Sequence, residues 1–187
     1  FKSLTLKQAK DVIEQINFVP KVFFFDRVSP AFIRLAENFK EKGSIIYFEP
    51  SNKGSNVRLF NKCLEVSDVI KFSEQRIKDT KLFEEINDKL FIQTLGERGL
   101  RYRINSEWIL LFPQLNKHIV DTAGAGDWTS AAFINFLYKG KELRPINDFS
   151  KDELENALNE AQRIGAMSCS FEGARGMMQQ NAYFPQL

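Results

Sequence analysis

Four short apolar runs alternate with amphipathic helical segments over residues 1–96, and this alternation is what most restricts the fold. The runs are KVFFFD (21–26), SIIYF (44–48), DVIKF (68–72) and LFIQTLG (90–96). Apolar strands joined by crossover helices pair in parallel and are covered on both faces of their sheet. The pattern therefore predicts an α/β fold with a mostly parallel sheet.

Start and stop signals place the helices between these runs. Thr5 begins the first helix, Ser29 followed by Pro30 begins the second, a third follows EPSNKGS, and a fourth covers about residues 80–89. Further along, residues 100–112 form a predicted hairpin around Asn105 and Ser106. Helices are then predicted at about 127–138 and 151–167. No repeat or linker interrupts the chain, so we expect a single domain over residues 1–187.

Charge and composition narrow the classes of partner. The formal net charge is +2, from 26 Lys and Arg against 24 Asp and Glu, and the two signs are interleaved. This pattern predicts no nucleic-acid partner and no anionic membrane surface, and favours a small molecule. No apolar run approaches about 18 residues, so no membrane span is expected.

The cysteine and histidine content favours a reducing compartment. Cys63 and Cys169 lie far apart, and His118 is the single histidine, so neither a disulfide framework nor a zinc site is indicated. We therefore expect a cytoplasmic protein. Because the chain begins at Phe1 with amphipathic structure at once, we also expect it to be a fragment of something longer.

The stretch DTAGAGDW (121–128) carries the candidate chemistry. It follows the short run His118 to Val120 and precedes a predicted helix, which is where ligands collect in parallel α/β sheets. Gly124, Ala125 and Gly126 have almost no side chains, so an anionic oxygen can approach their backbone amides closely. Asp127, beside such a phosphate site, is placed to accept a proton from a hydroxyl.

Two other interpretations fit the same stretch. Gly-Ala-Gly before a helix also forms an ordinary tight turn, and Asp is common in a first helical turn. A dinucleotide site is the second alternative, since Gly124 and Gly126 supply two glycines of G-x-G-x-x-G. Thr129 stands where the third glycine belongs, so that match is poor. No G-x-x-x-x-G-K-[ST] motif occurs in the sequence.

Residues 121–134 resemble the C-terminal signature of the ribokinase-like (PfkB-type) carbohydrate kinases, D-T-x-G-A-G-D followed by a helix that opens with small residues. The constrained positions that match are Asp121, Thr122, Gly124, Ala125, Gly126, Asp127, Ala131 and Ala132. The resemblance implies a three-layer α/β/α fold, an anion hole formed by the amides of Gly124 to Gly126, and Asp127 as catalytic base. It also assigns Gly126 and Asp127 to the nucleotide site.

Two further segments extend this resemblance. TLGERG (94–99) is similar to a turn that lies along the nucleotide, which implies ATP-binding roles for Thr94, Gly96 and Gly99. AMSCSFEGARG (166–176) is similar to the family's last helix and the loop after it, which flank the adenine and a monovalent cation such as K⁺. The cation-ligand positions that match are Asp121, Ala123, Ser168 and Gly173.

The sequence departs from the family pattern at two places. EPSN (49–52) stands where the family usually has D-P-N, which is a change in a loop. KFSEQR (71–76) replaces an N-x-x-E motif that helps to organise Mg²⁺ and phosphate in the family, with Ser73 and Arg76 in the Asn and Glu places. A guanidinium cannot ligate a metal. The sequence leaves three alternatives open. Arg76 contacts phosphate, or Glu74 replaces the missing carboxylate, or the segment is a solvated helix start.

The resemblance covers the C-terminal portion of the family only. Because the sugar-binding motif and the lid of the family have no counterpart here, we expect these 187 residues to be inactive alone. The favoured hypothesis is an ATP-dependent kinase, or part of one, that phosphorylates a primary or anomeric hydroxyl of a sugar. A degenerate member that binds nucleotide or sugar phosphate as a sensor or partner subunit is the second hypothesis. The third is a structural fragment whose exposed apolar sheet edge drives self-association into a homo-oligomer.

Overall fold

The computed structural model describes residues 4–105, 107–114 and 116–179. The helices of this part are α1 Leu6–Gln15, α2 Pro30–Glu41, α3 Val57–Val66, α4 Lys81–Glu84, α5 Ala125–Tyr138 and α6 Lys151–Ser168. The strands are β1 Val22–Phe25, β2 Ile45–Phe48, β3 Val69–Ser73, β4 Leu90–Thr94, β5 Leu100–Ile104 and β6 Ile109–Leu111. No helix in the described part of the chain has the length and apolar character needed to cross a membrane.

The strands form one sheet in the order β1-β2-β3-β4-β5-β6, which is also their order in the sequence. β1 to β4 pair in parallel, and the register sets Phe48 opposite Ile70 and Lys71 opposite Ile92. The link from β4 to β5 is too short for a parallel crossover, so the chain reverses there. These observations confirm the predicted α/β fold with a mostly parallel sheet. Ser106, one of the two predicted hairpin residues, lies outside the described residues.

Contacts divide the chain into two compact units, each described here by itself. The first comprises the described residues of Phe1–Leu95, Arg101–Leu110 and Leu143–Phe149. The second comprises those of Gly96–Leu100, Leu111–Glu142 and Ser150–Leu187. The expected single-domain organisation stays a prediction.

An aromatic core stabilises the first unit. Phe25 stacks on Phe48 with ring centroids 4.6 Å apart, and Phe72 lies 4.8 Å from Phe83. Side chains from α1, α2 and α3 join the same cluster, so these helices share one face of the sheet. All four residues of β2 are buried, which means that both faces of the sheet are covered at this strand, as the apolar runs predict.

Capping side chains begin the helices where the sequence predicts them. The Thr5 hydroxyl accepts a hydrogen bond from the Gln8 backbone N–H, within a full capping box. Ser29 caps α2 ahead of Pro30, and Ser150 caps α6 through a second capping box. Such caps are typically worth about 1 kcal/mol each relative to Ala.

The fourth helix is shorter than predicted, ending at Glu84 rather than near residue 89. The buried guanidinium of Arg103 donates hydrogen bonds to the carbonyls of Phe83, Glu84 and Ile86, so these oxygens are engaged by a side chain. Asp88 follows with a left-handed backbone, φ +62°. Periodicity alone misses this stop, because the residue responsible lies on β5.

Candidate active site

The stretch 121–128 folds into a turn and the first turn of α5, within the second unit. α5 begins at Ala125, two residues before the predicted start, and Gly124 precedes it with a left-handed backbone, φ +79°. No side chain caps this helix. Asp127 lies in its first turn and is exposed, and its carboxylate has no hydrogen-bond or ion-pair partner among the described residues. A helix N-terminus of this kind favours a bound anion.

Gly124 cannot be replaced here without a shift of the backbone around it. A Cβ at this position would lie 2.7 Å from the Ala174 Cβ and 2.8 Å from its Cα. The left-handed backbone adds a second restriction on any other residue. The first glycine of the motif thus lets the segment around Ala174 pack directly against the start of α5.

One of the three amides assigned to the anion hole is already used within the turn. The Ala125 backbone N–H donates a hydrogen bond to the Thr122 carbonyl at 3.2 Å. The structure places Gly124, Ala125 and Gly126 consecutively at the helix start, with Gly126 exposed to solvent. Their role as an anion hole stays a prediction.

Asp121 connects the motif to a distant loop. Its Oδ1 accepts a hydrogen bond from the Ala123 N–H at 2.9 Å, and its Oδ2 accepts one from the Gly173 N–H at 2.9 Å. The Asp121 N–H donates to the carbonyl of Cys169, the residue after Ser168. Three of the four predicted cation-ligand residues are thereby in direct contact. Ser168 is buried, and its hydroxyl donates to the Gly165 carbonyl.

The oxygens in this cluster suit a hard cation. Carboxylate and carbonyl oxygens are the ligands that such ions select. The cation assignment of Asp121, Ala123, Ser168 and Gly173 stays a prediction, since hydrogen bonds account for the contacts observed among them.

The hydrogen bonds from Ala123 and Gly173, in that order of effect, hold the pKa of Asp121 below its ordinary value of 3.8. A folded-state pKa below the unfolded one stabilises the fold above the unfolded pKa, and this contribution is lost as the pH falls through the folded value. We expect the parent to need less urea for half-unfolding once the pH drops below about 4. Asp121→Asn should be less stable than the parent at neutral pH, and its stability should decrease less on acidification. Urea titrations from neutral to acidic pH measure this.

Asp11→Asn is the matched control, because Asp11 is an exposed carboxylate on α1 with no hydrogen-bond donor among the described residues. Its pH profile should follow that of the parent. Equal acid sensitivity of Asp121→Asn and Asp11→Asn would contradict the prediction.

The segment before the motif is fixed to the end of α6, a contact that the sequence did not reveal. Asn116 Nδ2 donates to the Ala166 carbonyl at 2.7 Å and to Ser170 Oγ at 2.8 Å. Ser170 Oγ donates in turn to the His118 carbonyl at 2.9 Å, and the Val120 N–H donates to the Cys169 carbonyl. These bonds hold the segment that leads into Asp121 against α6.

The TLGERG turn forms as predicted around its glycines. Gly96 and Gly99 both have left-handed backbones, with φ +65° and +93°, and the Gly99 N–H donates to the Gly96 carbonyl at 3.1 Å. A Cβ on Gly99 would lie 2.3 Å from the Leu111 carbonyl oxygen, so close backbone packing requires glycine there. Both glycines belong to the second unit, whereas Thr94 ends β4 in the first. Their nucleotide-binding roles stay predictions.

The turn after β3 differs from a carboxylate-rich metal site. Ser73 ends β3 opposite Thr94, and Arg76 is exposed in the following turn, its N–H donating to the Ser73 carbonyl. Glu74 is the only carboxylate between them, and the described residues contain no group of three His, Cys, Asp or Glu that could hold a metal ion. One carboxylate beside substrate phosphates still suits Mg²⁺, which keeps several water ligands.

An ion pair that the sequence did not reveal joins Glu49, which follows β2, to Lys71 in the middle of β3. Lys71 Nζ donates to Glu49 Oε1, and their side chains are 3% and 15% exposed. Lys71 lies within the apolar run DVIKF, where alternation along the strand points it away from Ile70 and Phe72 of the aromatic core. A single Lys inside a buried strand is the signal that could have predicted a charged partner.

Comparisons with known proteins identify what this chain is similar to. The sequence model of the "pfkB family carbohydrate kinase" matches residues 59–181. Ribokinase of Bacillus subtilis (strain 168) is 39% identical over 94 residues, which are 50% of this chain and 28% of that protein.

Solved structures share the fold. Fructokinase from Vibrio cholerae O395, in its fructose, ADP and calcium ion bound form, gives a TM-score of 0.71 at 18% identity, covering 91% of this chain and 60% of that one. Aminoimidazole riboside kinase from Salmonella enterica, complexed with aminoimidazole riboside and an ATP analogue, gives a TM-score of 0.66 at 19% identity. That comparison covers 83% of this chain and 60% of the kinase chain. The chain thus spans about 60% of the length of these structures.

Proposed function

The chain belongs to the pfkB family of carbohydrate kinases, and from this premise we propose that it is the nucleotide-binding portion of an ATP-dependent kinase that phosphorylates a hydroxyl of a sugar or sugar derivative. The observation that carries the proposal is the start of α5. There an uncapped helix N-terminus follows a left-handed glycine and presents Asp127 to solvent. Ribokinase, fructokinase and nucleoside kinase are among the relatives and structural neighbours.

Asp127 is the proposed catalytic base. Its carboxylate takes the proton of the substrate hydroxyl while the hydroxyl oxygen forms a bond to the γ-phosphorus of ATP. The bond between the γ-phosphorus and the β–γ bridging oxygen breaks, and ADP leaves with that electron pair. Amides of Gly124 to Gly126 and the partial positive charge of the α5 N-terminus stabilise the transferred group.

The remaining predicted ligands complete this proposal. Thr94, Gly96 and Gly99 bind the nucleotide, and Asp121 with the Ala123, Ser168 and Gly173 positions holds K⁺. Glu74 would be the carboxylate that holds Mg²⁺, whose charge would favour bound phosphate. We further propose a cytoplasmic location, which two buried, unpaired cysteines support. A homo-oligomer is proposed as well.

Ser73 and Arg76 favour a second candidate, a degenerate member that binds nucleotide or sugar phosphate without turnover. One experiment on the complete natural protein that contains these residues distinguishes the active kinase from the degenerate member. ADP release is measured against a panel of fructose, ribose and a nucleoside, and an unreactive ATP analogue is titrated by calorimetry.

We expect turnover with at least one acceptor and saturable binding heat for the analogue. Saturable heat without turnover on any acceptor would support the degenerate member instead. The absence of both turnover and binding heat would contradict both candidates and favour the third hypothesis, a structural fragment.

A further inference from the structure

Trp128 follows Asp127 directly and is not among the positions that the kinase motif constrains. We propose that Trp128 is a positioning residue for the proposed base, which it fixes by tying the first turn of α5 to Ala174. This inference rests on the proposed function. It adds to that function a residue that neither the motif nor the family match assigns.

The indole provides a directed contact to a distant segment. Trp128 Nε1 donates a hydrogen bond to the Ala174 carbonyl at 3.0 Å, across 46 positions of sequence. The Gly124 backbone also lies so close to Ala174 that no Cβ fits between them. Ala174 is therefore contacted by two residues at the start of α5, Gly124 and Trp128.

A third contact fixes Gly173, the residue that precedes Ala174. The Gly173 N–H donates to Asp121 Oδ2 at 2.9 Å, so consecutive residues 173 and 174 are bound by the two ends of the stretch 121–128. Asp127 lies inside this stretch but its carboxylate has no partner of its own in the described part of the chain. Its position consequently depends on how firmly the backbone on either side of it is held.

The Trp128 indole compensates for the missing side-chain cap at the start of α5. First turns without a side-chain cap fray more readily than capped ones, and α5 has no such cap. Trp128 instead binds the turn from outside, through a rigid ring with two side-chain torsions. A displaced base is costly to catalysis, since a misplacement of about 1 Å can lower a rate by roughly 100-fold.

Trp128→Phe tests this role, because it removes the N–H donor and keeps an aromatic ring. In the complete natural protein we expect kcat to fall roughly 10- to 100-fold while KM for the sugar stays within about twofold. Trp108→Phe is the matched control: Trp108 is the other tryptophan, packs against Phe72 in the first unit, and should leave kcat within about twofold of the parent.

The same Trp108→Phe variant provides a spectroscopic readout that does not depend on the folding of Trp128→Phe. Trp128 is then the only tryptophan of residues 1–187. With any tryptophan outside these residues also replaced by Phe, ADP titrated into the variant should change the Trp128 emission in a saturable way. An indole far from the bound nucleotide would keep its emission unchanged. ADP is the probe because the proposed anion site lies at the turn that Trp128 holds.

The outcomes separate this inference from the proposed function. If the parent turns over a sugar and Trp128→Phe retains its kcat, or if saturating ADP leaves Trp128 emission unchanged, Trp128 is not a positioning residue although the kinase assignment stands. If the parent shows neither turnover nor ADP binding, the proposed function fails and this inference fails with it.

Discussion

Asp127→Asn is expected to lower kcat of the complete natural protein by roughly 10²- to 10⁴-fold, the usual contribution of a general base. The amide has nearly the same shape as the carboxylate but cannot take the proton of the substrate hydroxyl. Asp127 is exposed and its carboxylate is bonded to no described residue, so its replacement disturbs no observed contact. Binding of an ATP analogue should therefore remain close to that of the parent by calorimetry.

A matched control exists on α6. Asp152 also lies exposed in the first turn of a helix, and Asp152→Asn makes the same chemical change at a position with no proposed role in catalysis. It should turn over at the parent rate. Turnover of Asp127→Asn near the parent rate would remove Asp127 as the base, even if the kinase activity itself is established.

Lys71→Met is expected to destabilise the protein by about 3–5 kcal/mol, because it removes the buried ammonium that donates to the Glu49 carboxylate. Lys71 is 2% exposed, and Met fills a similar volume in the strand. The loss should be visible as a lower urea midpoint in the free protein, with no ligand needed.

Two further variants show whether the buried charge is the cause. Glu49→Gln combined with Lys71→Met removes both charges and should recover most of the lost stability. Lys151→Met breaks the pair of the exposed Lys151 with the half-buried Glu155, at 3.8 Å, and should change the free energy of unfolding by less than about 1 kcal/mol. Equal losses for Lys71→Met and the double variant would show that packing, and not the charge left on Glu49, is responsible.

The sequence predicted most of the fold, because its signals there are local. Alternating apolar runs placed β1 to β4, and Thr5 and Ser29 marked helix starts that the structure reproduces. The exception is the end of α4, where Arg103 on β5 takes up the carbonyls of the last turn. A helix stop created by a residue about twenty positions away leaves no trace in the helix's own periodicity.

In the candidate site, too, local features could be predicted from the sequence and contacts between distant residues could not. Residues of one contiguous motif, such as Gly124 and Asp127, could be selected from spacing and resemblance. The resemblance brought Asp121 and Gly173 together as cation ligands, but not as hydrogen-bond partners. The contact of Trp128 with Ala174 could not be selected in this way, because Ala174 contributes a main-chain atom. Any residue other than proline offers the same backbone N–H, and every residue offers the carbonyl, so neither atom marks its position in the sequence.

The order of strands in the sheet has a consequence for how the chain acquires its structure during synthesis. Each strand from β2 onward is bonded to the strand that precedes it in the sequence, so no pairing waits for a segment translated much later. Short sequence separation between partners accelerates folding. Within these residues the sheet can accordingly grow in the direction from β1 to β6 as the ribosome releases the chain, each new strand adding to the strand formed before it.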